Sequence, residues 1–260
     1  MERLFSVREY LRYLLRAKTK YYIHSPFVFD FVRQVLPGKG TYYDYASIEA
    51  LRKRLLRSQE KVETHELGAG SLRIKKGGSV AEVARHSAKP RKYAQLLFRI
   101  AARYHCRYRL ELGTSLGLTA LYLAAAVKDG ALITLEGNPN LAALARHHAA
   151  LLQVPGMQVI TGPFDETLSA ALAQLPAVDL VYFDGNHRRE PTLRYFHACM
   201  ERMHEGSIFI FDDIYWSREM KAAWEEIKRH PQVRVTIDLY SIGIVFFRKE
   251  LSVQHFTLLY

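Results

Sequence analysis

The sequence has only two cysteines in 260 residues, Cys106 and Cys199, and neither lies in a Cys/His knuckle. That excludes a disulfide scaffold and a structural zinc site of the usual spacing. No run of 18 apolar residues occurs, so no membrane-spanning helix is expected. The opening stretch has no uncharged apolar core, because Arg3, Arg8, Glu9, Arg12 and Arg16 crowd it. This argues against a signal peptide and for a cytoplasmic, reducing location. Nor does any Asn/Asp-Pro-Pro-Tyr/Phe tetrapeptide appear.

What is present is ordinary in bulk and uneven in charge. Apolar residues make up 49% and charged residues 24%, which suits a globular chain of one large domain or one domain with an appendage. The net charge is +11. Residues 1–100 carry 21 Lys/Arg against 9 Asp/Glu, whereas residues 101–260 carry 16 against 17. The basic excess therefore lies in the first hundred residues. It suits either a solvated helical surface or an acidic partner such as RNA, anionic lipid or an anionic substrate.

The chain is organised around Tyr108-Arg-Leu-Glu-Leu-Gly-Thr-Ser-Leu-Gly-Leu-Thr119. This reads as a buried strand, a glycine turn and the start of a helix. Gly113 and Gly117 allow the backbone to bend and approach a ligand, and the helix N-terminus offers free N–H groups. A second apolar strand, Ala131-Leu-Ile-Thr-Leu-Glu136, ends 23 residues after Gly113. An acid at that tip is placed to accept hydrogen bonds from both hydroxyls of a ribose.

From residue 108 onward strands and helices alternate. The expected strands are 108–113, 131–136, 157–162, 178–184 and 207–212, with helices at 117–128, 139–153, 166–175, 190–204 and 217–229. Strands 233–239 and 242–248 are separated only by Tyr240-Ser241, which forces an antiparallel hairpin. The pattern predicts a seven-stranded, mostly parallel sheet covered by helices on both faces.

Upstream, residues 2–18 read as a basic amphipathic helix with Leu4, Val7, Leu11, Leu14 and Leu15 on one face. Packing on the core or on a dimer partner is the favoured reading, and a membrane-surface helix is the alternative. Tyr21, Tyr22 and His24 are read either as pocket-lining or as packing residues. Ser25-Pro26 opens a helix, and Leu36–Gly40 is a loop. A basic helix over 46–60 follows. Glu66-Leu-Gly-Ala-Gly-Ser71 looks like a cofactor loop but lacks a preceding apolar strand, so it reads as a connection. Ser79-Val-Ala-Glu82 has capping-box spacing for a helix to about His86, and residues 91–104 form another.

Glu111-Leu-Gly-Thr-Ser-Leu-Gly117 does not fit GxGxxG. It resembles the acid-x-Gly-x-x-x-Gly motif of the S-adenosylmethionine (SAM)-dependent class I methyltransferases, and the terminal hairpin resembles theirs. The likeness spans about 90–249. It implies an α/β, Rossmann-like methyltransferase domain over 90–260, preceded by a basic helical extension over 1–89 that serves as a lid, substrate or dimer region. The catechol and macrocin O-methyltransferase branches supply expected roles. Glu111, Gly113, Thr114, Ser115 and Gly117 would surround the methionine part of SAM, and Thr119 its carboxylate. Glu136 and Gly137 would meet the ribose. Asp165 would lie near the adenine amino group, with Asp184 also on the cofactor side.

Asp184, Asp212 and Asp213 match the three Mg²⁺-ligating positions of those branches, and three carboxylates suit a hard divalent cation. His187 stands where related enzymes carry a general base, with Asp184 beside it. Arg188 and Arg189 either bind an acidic substrate group or face solvent. Tyr215 and Trp216 either wall the substrate pocket or pack in the core. The expectation is a SAM-dependent O-methyltransferase acting on a hydroxylated small molecule with Mg²⁺ assistance, with a homodimer as a partner the resemblance allows. Two alternatives stay open: an RNA-directed methyltransferase gripping nucleic acid through the basic N-terminal region, and a non-catalytic SAM-binding module.

Overall fold

The computed structural model describes residues 2–38, 40, 42–63 and 78–260. The glycine-bearing stretch Glu66–Ser71 thus lies outside the described residues. The chain forms two compact units: residues 1–37 with 176–260, called here the terminal unit, and residues 38–175, the middle unit.

In chain order the helices and strands begin with α1 (Glu2–Arg16), α2 (Pro26–Gln34), α3 (Tyr43–Leu55), α4 (Val80–Ser87) and α5 (Arg91–Arg103). There follow β1 (Tyr108–Leu112), α6 (Leu118–Ala126), β2 (Ala131–Glu136), α7 (Pro139–Leu151), β3 (Met157–Thr161) and α8 (Phe164–Ala173). The last are β4 (Val178–Phe183), α9 (Arg189–Met200), β5 (Met203–Asp212), α10 (Arg218–Lys228), β6 (Val235–Asp238), β7 (Ile242–Phe246) and β8 (Gln254–Thr257).

The middle unit holds three parallel strands in the order β3-β2-β1. Register aligns Leu112 with Leu135 and Glu136 with Thr161, so the carboxyl ends of the strands lie together. The helix α6 is almost wholly apolar (Leu-Thr-Ala-Leu-Tyr-Leu-Ala-Ala-Ala) and buried on every side but its last residue, as such a helix must be. Its last carbonyls would be orphaned in that setting. Arg109, fully buried on β1, donates to the carbonyls of Leu123 at 2.6 Å and Val127 at 3.1 Å. Helix α4 begins with the expected capping box: Ser79 Oγ accepts from the Glu82 N–H, and Glu82 accepts from the Ser79 N–H at 2.8 Å. Tyr45, Phe98 and Tyr122 pack edge to face at centroid distances of 4.9 and 5.3 Å, joining α3, α5 and α6.

The terminal unit holds five strands in the order β4-β5-β7-β6-β8. Here β4 and β5 are parallel, β7 is antiparallel to both β5 and β6, and β8 is parallel to β6. Phe183 of β4 stacks on Phe211 of β5 at 4.4 Å. Ser25 caps α2 with Pro26 in its first turn, as expected.

The described residues contain eight strands, so the expected seven is corrected by one. The extra strand, β8, is only four residues long, is partly exposed along its length, and comes from the tail beyond the hairpin. A short half-exposed strand of this kind carries no apolar run to announce it. Of the packings expected for α1, the one on the core is corrected. Leu4, Leu11 and Leu15 point outward, at 77, 56 and 88% exposure, while Phe5, Glu9 and Tyr13 are buried. The cause is a set of polar anchors. Lys221 Nζ donates to Glu9 at 2.6 Å, Arg12 does so at 2.8 Å, and the Tyr13 hydroxyl donates to the Leu258 carbonyl at 2.6 Å. Burial alone would raise the Glu9 pKa; Lys221, and then Arg8 and Arg12, outweigh it and hold the carboxylate below its usual range.

Candidate functional site

In the middle unit the residues after β1 and β2 fold onto one another. The N–H groups of Gly113 and Thr114 donate to the Leu135 carbonyl at 3.0 and 3.1 Å, which pins the glycine turn to the end of β2. Gly113 and Gly117 both have positive φ, +109° and +81°. A Cβ on Gly117 would lie 3.1 Å from that of Ala145. Ser115 is also left-handed, at φ +48°, a conformation that costs a non-glycine residue energy and is maintained only where its surroundings enforce it. What enforces it is Glu136. The Ser115 N–H donates to Glu136 Oε2 at 2.7 Å, and the Asn138 N–H donates to Oε1 at 2.9 Å. Burial raises the Glu136 pKa, and these backbone donors pull it partly back.

Beneath this loop lies Glu111. It is fully buried, accepts from Thr134 Oγ1 at 2.6 Å, and has its Oε1 without a partner among the described residues. Desolvation, with a smaller push from Glu136, raises its pKa to about 8, so the side chain holds a proton at neutral pH. Thr114 and Thr134 share a hydrogen bond of 2.5 Å. Thr119 is buried in the first turn of α6, and Gly137 is half-buried. Asp165 lies exposed in the first turn of α8 rather than at a strand tip, because that helix begins earlier than expected.

In the terminal unit Asp184 follows β4 and Asp212 ends β5. His187 is buried, and its Nε2 lies 3.8 Å from Asp184 Oδ1, an ion-pair approach longer than a hydrogen bond. Asn186 and Asp213 are left-handed non-glycine residues, at φ +54° and +51°. The Asp213 N–H donates to the Ser241 carbonyl at 2.8 Å. Tyr215 donates to Asp238 Oδ2 at 2.5 Å and stacks on Tyr240, so its hydroxyl is engaged within the unit, whereas Trp216 is exposed. Arg189 pairs with Glu226 at 2.6 Å, which fits the solvent-face reading of that side chain. The three aspartates offer hard oxygen donors that suit Mg²⁺ chemically. Among the described residues no group of three or more His, Cys, Asp or Glu side chains is gathered as a metal site.

The glycine turn, the two acids and the strand order place the chain among known proteins. Residues 110–214 match the model of a family described as a methyltransferase domain. In fold the chain resembles three solved proteins. The SAH-bound Podospora anserina methyltransferase PaMTH1 has 14% identity and a TM-score of 0.61, over 87% of this chain and 98% of its own. An O-methyltransferase from Bacillus cereus in complex with SAH has 17% identity and a TM-score of 0.55, over 85% and 97%. The O-methyltransferase TomG from Streptomyces achromogenes, involved in tomaymycin synthesis and solved with SAM, has 18% identity and a TM-score of 0.54, over 63% and 82%. A search of curated protein sequences gives no match.

Some residues that build this loop were not among those expected from the sequence. Thr134 bridges Glu111 and Thr114, and Asn138 both caps α7 and holds Glu136. Ser87, at the end of α4, meets the Ser115 hydroxyl at 2.7 Å. Only Thr134 had a local signal, a hydroxyl in an otherwise apolar buried strand.

Proposed function

We propose that this chain is a SAM-dependent O-methyltransferase acting on the hydroxyl of a small molecule. The observation that carries the cofactor assignment is the clamped Glu136, set against a positive-φ glycine turn with the buried, half-satisfied Glu111 beneath it. This cradle fits a polar, ribose-bearing ligand. Glu111, Gly113, Thr114, Ser115, Gly117 and Thr119 are assigned to the methionine end, Glu136 and Gly137 to the ribose, and Asp165 to the adenine. Asp184 is assigned to the cofactor side and to His187. When bound, SAM supplies an electrophilic methyl group on a sulfonium.

His187 is assigned as the base that accepts the proton of the substrate hydroxyl, with Asp184 orienting the imidazole. Positioning carries most of the barrier reduction in such an in-line displacement. The reading makes residues 90–260 the methyltransferase domain and residues 1–89 the region that selects the substrate. Asp212 and Asp213 are assigned to the substrate side. The resemblance supports Mg²⁺ there, and the steps are written without it. Turnover measured with and without EDTA reads the metal question by itself.

Calorimetric titration with SAM tests the cofactor assignment. Glu136→Ala is expected to weaken binding by about a hundredfold, the scale of losing two charge-assisted hydrogen bonds. Unchanged SAM affinity would sink the assignment.

A further inference from the structure

We propose that α1 seats the protein on the surface of an anionic lipid bilayer. Leu4, Val7, Leu11, Leu14 and Leu15 all lie on the exposed side of this helix, the last at 88% exposure. At about 100° per residue they occupy one continuous arc of roughly 100°. The opposite face is locked to its own unit. Glu9 is held by Lys221, the Tyr13 hydroxyl by the Leu258 carbonyl, and the Ser6 carbonyl accepts from Tyr240 at 3.0 Å. Rolling the leucines inward would break all three anchors, so the apolar stripe is a stable outward feature. A contiguous exposed apolar patch of this kind marks an interaction surface.

Charge selects the occupant. Residues 2–24 contain six Lys/Arg and two Asp/Glu, and one of those acids, Glu9, is turned inward and already paired. On the helical wheel Arg8 stands about 20° beyond the Leu15 edge of the stripe, Arg12 about 60° and Arg16 about 100°; all three are exposed, and Arg8 and Arg12 also pair with Glu9. A second copy of the chain would bring these arginines against their equals. A nucleic acid would satisfy the arginines but leave the leucines in water. An anionic bilayer satisfies both, taking the apolar face into the acyl boundary and the guanidinium groups onto headgroup phosphates. Tyr22, exposed at 66% just beyond the helix, is of the type that sits at that boundary. A helix of 15 residues is about 22 Å long, too short to span a hydrocarbon core of about 30 Å, so it lies in the plane of the surface.

The test is co-sedimentation of the full chain with phosphatidylcholine vesicles, with and without roughly one third phosphatidylglycerol. Binding is expected to be at least about tenfold stronger to the anionic vesicles and to weaken with salt. Leu11→Ser with Leu15→Ser should remove at least about tenfold of it while the thermal melt stays unchanged, because both side chains are exposed. Leu4→Ser with Leu14→Ser repeats the test should the first pair disturb folding. Equal binding to neutral vesicles, or no loss in either double variant, would overturn the proposal. So would a dimer that dissociates in the double variants while vesicles bind nothing, or retention by RNA that lipid does not displace.

Discussion

At the residue scale, Glu111 gives the sharpest physical prediction. Its folded pKa of about 8 lies above that of an unfolded glutamate, so the native state keeps a proton that the unfolded chain gives up. Its contribution to stability is therefore full below about pH 4.5, falls as pH rises toward 8, and is lost above that. Glu111→Gln should flatten this part of the profile. Urea midpoints of both proteins between about pH 5 and pH 9 measure it, and parallel profiles would refute the account of a buried, protonated carboxyl. Gly117→Ala meets both a strained φ and the Ala145 side chain, so it should cost about 1–2 kcal/mol in chemical denaturation. His187→Ala should lower kcat by about a hundredfold or more while SAM affinity persists, as removal of a base does. Glu111, Ser115 and Glu136 were legible as site candidates because strand tips, glycines and acids follow one another in a fixed order. Thr134, Asn138 and Ser87 were mostly not, because their roles come from hydrogen bonds between segments that periodicity does not connect.

At the element scale, Ser79→Ala removes one half of the capping box of α4 and should cost about 1 kcal/mol, read as a shift in the denaturant midpoint. The ends of α4 were readable from the chain because the box is a local device. So were the alternating strands and helices from β1 to α10, whose buried strands are short apolar runs broken by glycine and acid. Two features were not. The β8 strand gains its place from pairing with β6, with Val235 opposite Gln254, rather than from its own composition. The facing of α1 was left open between core, partner and membrane, because amphipathicity reveals two faces without saying which one meets the protein. An ion pair and a tyrosine hydroxyl decided that contest against five aliphatic side chains.

At the scale of the whole molecule, the basic excess of the first hundred residues and the near-neutral remainder divide the labour of the chain. The near-neutral remainder holds Glu111, Glu136 and the aspartates proposed for the site, and the basic part holds the helix proposed to meet an anionic surface. The central claim is chemical, and one measurement addresses it: transfer of labelled methyl from SAM into a cell extract, separated by size, with and without EDTA. The account predicts label in small molecules. Loss of that label with EDTA would add a metal to the proposal, and its persistence would leave the transfer metal-independent. Label confined to RNA or protein, or no transfer into any fraction of an extract rich in hydroxylated metabolites, would contradict the account.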